Sequence, residues 1–146
     1  MVRFWRIVSE DLFIPFRVLV IDFDDVERKQ ILETLKSKGF QVTAEKQPHN
    51  ATRVAEEVAP ELMLIALEMP RLDGTFLIRK FRKDDDFAKT PIIALANNVD
   101  KPTLAKLNDF AIKDALTKPL EPEKVLAAVE KYYKLKVIAQ LMSDED

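Results

Sequence analysis

The sequence predicts an α/β domain whose five-stranded parallel sheet is doubly wound into a three-layer sandwich. Three observations predict it. Strand-like apolar runs alternate with helical patterns five times along the 146 residues. Val18-Leu19-Val20-Ile21 and Leu62-Met63-Leu64-Ile65 are apolar without alternation, as strands covered on both faces are. The strand–helix units are short and regular, which suits parallel strands joined by right-handed helical crossovers. Ligands of such sheets bind beyond the carboxyl ends of the strands.

The first strand, Val18 to Ile21, ends at an acid. A helix over Glu27 to Lys38 carries Ile31, Leu32 and Leu35 on one stripe, and Gly39 stops it. Phe40 to Ala44 alternates as a second strand. Asn50 is placed to cap a helix bearing Val54, Ala55 and Val58, which ends near Pro60. The third strand is Leu62 to Leu67. A third helix over Asp73 to Arg82 turns Phe76, Leu77 and Phe81 inward. Pro91 to Leu95 is the fourth strand, and Pro102 suits the first turn of a helix carrying Leu104 and Leu107. Ala115-Leu116 is a short fifth strand. The last helix starts at Pro122 with Val125, Leu126 and Val129 on its inner face.

Composition removes several classes of function. With no cysteine there is no disulfide, thiolate nucleophile or thiolate-held metal. The single histidine, His49, lies between Pro48 and Asn50 and reads as a solvated turn residue. A net charge of -2 gives no global attraction to nucleic acid. The basic run Arg79 to Lys83 is answered at once by Asp84-Asp85-Asp86, so it reads as a solvated helix end. The longest strongly apolar run, Leu62 to Leu67, falls far short of the roughly 20 residues that span a membrane. Glu10 and Asp11 interrupt the apolar N-terminus before it resembles an export signal. Only Gly39 and Gly74 are glycines, so no glycine-rich phosphate loop exists. The expectation is a cytoplasmic protein without catalytic activity, cofactor or metal, and without nucleic-acid or membrane partners.

Four motifs stand in a telling order: Val18-Leu19-Val20-Ile21-Asp22, Met69-Pro70-Arg71-Leu72-Asp73-Gly74, Pro91-Ile92-Ile93 and Lys118-Pro119. Through them residues 17–134 resemble a response-regulator receiver domain, with a flavodoxin-like (βα)5 fold. The resemblance implies a magnesium site held partly by two adjacent acids after strand one. It also implies a nucleophilic aspartate ending strand three, a threonine or serine ending strand four, a lysine after strand five, and a switch aromatic on strand five. Carried over by position, Asp22 and Lys118 match. The second acid is Phe23, the nucleophile Ala66, the hydroxyl residue Ala96 and the aromatic Ala115. A methyl group has no oxygen to attack phosphorus. The chain is therefore expected to be a pseudo-receiver that binds a signalling protein without being phosphorylated.

Without an acceptor carboxylate beside it, Lys118 should pair with Asp22. Asp24 and Glu68 border the same pocket. Glu68 or Asp22 offers an alternative in which phosphorylation or metal binding persists, although Glu68, Asp24 and Asp25 are more often solvated loop acids or helix N-terminal charges. Receivers signal through helix four, strand five and helix five, so the resemblance points to Lys106, Lys113, Ala115, Lys131, Tyr132 and Lys134 as contacts. Residues 1–16, with Phe4, Trp5, Phe13 and Phe16, form an N-terminal extension. Residues 135–146, with Val137, Ile138, Leu141 and Met142, form a C-terminal helical extension with an acidic tail. A second alternative is an assembly subunit that forms homodimers or larger oligomers through these extensions.

Overall fold

The computed structural model describes residues 14–144. The elements run β1 (Arg17–Ile21), α1 (Asp25–Lys36), β2 (Gln41–Glu45), a 3-10 turn (Pro48–Asn50), α2 (Ala51–Val58), β3 (Leu62–Ala66), α3 (Gly74–Lys83), β4 (Ile92–Ala96), α4 (Lys101–Asp109), β5 (Asp114–Thr117) and α5 (Pro122–Asp144). All pairings are parallel, in the order β2-β1-β3-β4-β5. The order reverses at β1. Right-handed crossovers then put α1 and α5 on one face and α2, α3 and α4 on the other.

Burial explains the continuous apolar runs. Every residue of β3 and β4 is buried. Their side chains meet helices on both faces, so alternation would bury polar groups. Register decides where chemistry lies. Ile21 pairs with Ile65, Ala66 with Leu95 and Ala96 with Thr117. The strands thus end nearly level, with Asp22, Ala66, Ala96 and Lys118 along one edge.

The expected elements all form, with shifted ends and some reversed faces. α1 begins two residues earlier than its apolar pattern suggests, because the Asp24 carboxylate accepts from the Glu27 N–H at 2.9 Å and caps it. Gly39 follows α1 at φ +89°, a left-handed conformation suited to glycine. Asn50 does not cap α2: it is itself helical and its side chain makes no capping bond. Phe76 and Leu104, inward by sequence pattern, are 58% and 52% exposed. α3 buries Leu77, Ile78 and Phe81 instead. α4 buries Leu107 alone. One residue of rotation on a helix moves a side chain by about 100°, which the sparse apolar pattern of these short helices does not fix.

Arg82 ties α3 to the segment before β4 and to the end of α4. Its guanidinium donates to the carbonyls of Phe110 at 2.8 Å, Phe87 at 3.1 Å and Thr90 at 2.7 Å. Burial holds its pKa below the ordinary arginine value. α5 continues unbroken through the region expected as an extension. Phe16 packs in the core, with its ring 5.4 Å from Tyr133 and 6.1 Å from Phe40. Lys136 Nζ donates to Pro15 O at 2.6 Å and Glu61 Oε1 at 2.9 Å. Val137 is fully buried, whereas Ile138 and Met142 are exposed. Phe4, Trp5, Phe13, Glu145 and Asp146 lie outside the described residues.

Candidate functional site

Asp22 follows β1 and is the one fully buried charged residue among those described. Its Oδ1 accepts from Lys118 Nζ at 3.1 Å and from the Asp24 N–H at 3.0 Å. The ion pair expected from the sequence is thus present, with side chains 1% and 11% exposed. Lys118 precedes Pro119 across a cis peptide bond, and its N–H donates to Ala96 O at 2.7 Å, which fixes the β5–α5 turn beside β4.

Sequence reasoning missed a second carboxylate here. Glu27 Oε2 stands 3.5 Å from Lys118 Nζ, and the Glu27 side chain is 15% exposed. Glu27 lies shortly after Asp22, in the first turn of the helix that starts at the pocket, but it matches no motif and its approach to Lys118 is set by the fold. Burial opposes the charge on Lys118, but Asp22 and then Glu27 more than offset it, so its pKa stands above the ordinary lysine value.

Phe23, Ala66 and Ala96 supply no side-chain oxygen. Ala66 and Ala96 are fully buried. α3 starts against Ala66 because Gly74 has no side chain: a Cβ there would overlap the Ala66 carbonyl oxygen and stand 2.7 Å from Leu67 Cα. Phe23 presents its ring to Lys46, whose Nζ lies 5.0 Å from the centroid. Asp24 caps α1. Asp25 pairs with Arg28 and Lys46. Glu68 is exposed, and its Oε1 accepts from the Asn97 N–H at 2.9 Å, bridging the β3 and β4 loops.

A magnesium ion needs several converging hard oxygen ligands. The residues present do not fit one. Phe23 and Ala66 carry no side-chain oxygen, Asp24 Oδ1 caps α1, and Asp22 Oδ1 holds an ammonium. Among the described residues no three His, Cys, Asp or Glu side chains group to hold a metal. The described contacts of the site neutralise a largely buried ammonium, that of Lys118.

The expected contact surface lies around β5. Lys106 and Lys113 are exposed, and Ala115 and Lys134 are half-buried. Asp114 binds two of the predicted residues: Lys131 donates to both its oxygens, at 2.8 and 2.7 Å, and the Tyr132 hydroxyl donates to Oδ2. Burial raises the Asp114 pKa, but the bonds from Lys131 and Tyr132 outweigh it and hold the group below its ordinary 3.8. The stability Asp114 contributes is thus present above about pH 4 and lost as pH falls through its depressed value. Urea midpoints of wild type and Asp114→Asn are expected to differ at pH 6 and to converge in strong acid. A difference that persists in strong acid would contradict the assignment.

Comparison with known proteins gives a consistent result. The family model described as response regulator receiver domain matches residues 18–130. The chain is 26% identical over 129 residues to the sensor histidine kinase TmoS of Ectopseudomonas mendocina, which covers 88% of this chain but 13% of that protein. It is 29% identical over 116 residues to the probable transcriptional regulator ycf29 of Porphyra purpurea, covering 79% of this chain and 55% of that one. The chain therefore spans a small part to about half of these relatives. Chemotaxis protein CheY4 of Vibrio cholerae superposes with a TM-score of 0.77 at 20% identity, over 82% of this chain and 99% of that one. At that identity the likeness shows the fold.

Proposed function

From the premise that this chain belongs to the response regulator receiver domain family, we propose that it is a pseudo-receiver: a protein-interaction module of two-component signalling that acts without phosphorylation. One observation carries this reading. The residue ending β3 beside Asp22 and Lys118 is a fully buried alanine, so no carboxylate stands where the family's acceptor would. Phe23 and Ala96 extend the loss to a metal-ligand position and to the hydroxyl position. A receiver without acceptor or metal site has no phosphoryl group to turn over, and its remaining role is to present a surface.

The surface around α4, β5 and α5 is where the resemblance places partner contacts. Lys106 and Lys113 are exposed there, and Asp114 orders Lys131 and Tyr132. The partner is a signalling protein. The reading includes a cytoplasmic location and no catalytic turnover. A net charge of -2 and the absence, among the described residues, of a helix long and apolar enough to cross a membrane support the lack of nucleic-acid and membrane contacts.

Incubation with a small-molecule phosphodonor and magnesium tests the proposal by intact mass. The expected result is an unmodified protein. Millimolar magnesium is likewise expected to leave Tm unchanged, because a ligand stabilises appreciably only well above its Kd. An acid-labile adduct of one phosphoryl group would overturn the reading.

A further inference from the structure

Lys118 receives negative charge from a helix as well as from the sheet. Glu27 sits in the first turn of α1, and the Asp24 cap on its N–H fixes its backbone. From there its carboxylate reaches to 3.5 Å from Lys118 Nζ. Glu27 Oε2 is buried and, like Asp22 Oδ2, has no hydrogen-bond partner among the described residues. Charge, rather than a short hydrogen bond, accounts for its position. A buried ammonium is costly unless compensated, and attraction between opposite charges in a poorly solvated site extends beyond hydrogen-bond length. β3 contributes nothing to that compensation, since Ala66 ends it.

We propose that Glu27 is a positioning residue that substitutes for the absent β3 carboxylate: it supplies from α1 the charge that Ala66 does not, and holds Lys118 toward β1 and α1. The proposal rests on the reading of the pocket as unphosphorylated and adds how the pocket is set. The β5–α5 turn is joined through Lys118 to β1 and α1 at once, so the pocket keeps one arrangement by an internal ion cluster.

A charge relocation tests this. Ala66→Asp places a third carboxylate around one ammonium and is expected to lower Tm by about 5–10 °C beyond the loss caused by the neutral, similarly shaped Ala66→Asn. Adding Glu27→Gln to Ala66→Asp is expected to recover most of that excess, because the carboxylate is then moved rather than added. An excess loss that is the same with and without the Glu27→Gln change would overturn the proposal. Should neither Ala66→Asp protein fold, Glu27→Gln alone decides by NMR titration of the Lys118 ammonium. Its deprotonation pH is expected to fall, because one of the two carboxylates facing it is gone, while Glu68→Gln leaves it in place. An unmoved Lys118 titration would overturn the proposal. The mass measurement on wild type is independent. A phosphorylated wild type with the expected coupling would refute the pseudo-receiver reading alone, and an unmodified wild type without coupling would refute the role of Glu27 alone.

Discussion

Asp22→Ala is expected to destabilise the domain by about 3–5 kcal/mol, the typical cost of removing one partner from a buried ion pair. The Asp22 side chain is 1% exposed and Lys118 is 11% exposed, so the orphaned ammonium would have little water to turn to. Glu27 would remain 3.5 Å away, but Asp22 also accepts the Asp24 N–H, and that donor would be stranded too. Glu68→Ala removes an exposed carboxylate and one bond to Asn97, and is expected to cost under about 1 kcal/mol. Denaturant unfolding of the two variants measures both. Equal, small losses would mean that Lys118 is solvated in solution. The pH dependence has a definite sign. The folded pKa of Lys118 lies above its unfolded 10.5, so its contribution is complete at lower pH and is lost only as pH rises through the folded value. The Asp22→Ala deficit should therefore be nearly constant from about pH 6 to about pH 9.

Gly74→Ala is the second large effect. The added methyl would overlap the Ala66 carbonyl oxygen and approach Leu67 Cα to 2.7 Å, and both obstacles are backbone of the central strand and its loop. Backbone cannot turn aside as a flexible side chain can. Relief requires α3 to withdraw from β3, which would loosen the bond from the Gly74 N–H to Leu67 O at 2.8 Å. A loss of about 3 kcal/mol or more is expected, at the upper end of overpacking. Gly39→Ala provides the contrast. That Cβ would meet nothing within 4 Å, and only its φ of +89° resists a side chain. Its cost should be nearer ~1 kcal/mol. Thermal melts rank the two, and a Gly74→Ala protein no less stable than Gly39→Ala would contradict the close approach.

The sheet was legible because buried parallel strands carry their signature residue by residue. β3 and β4 are apolar at every position, as strands covered on both faces are, and their shortness argues against a buried helix. The helix faces were less legible. Phe76 and Leu104 are apolar residues in amphipathic patterns that turn out exposed, because Leu77, Ile78 and Phe81, or Leu107 alone, suffice to hold those helices. In the site, the order of motifs located Asp22, Ala66, Ala96 and Lys118 along one edge, and parallel register made that placement hold. Glu27 escaped because it belongs to a helix and matches no motif. Its part depends on a distance between α1 and the β5–α5 turn, far apart in sequence, that only the folded chain reveals.

The three carbonyls gathered by Arg82 bear on how evenly the domain is stabilised. The guanidinium grips the segment leading into β4 and the residue just after α4, while Asp100 caps the start of α4 through the Thr103 N–H at 2.9 Å. Between those anchored ends, the helix commits a single buried side chain to the body. It hangs like a span fixed at both piers and barely supported at its middle. Such a segment can open on its own, below the free energy that unfolds the sheet, without losing its place in the fold. Durability is thus unevenly spread: β3 and β4 are buried at every position and β1 at all but its first, while α4 commits fewer buried side chains to the body than any other α-helix described.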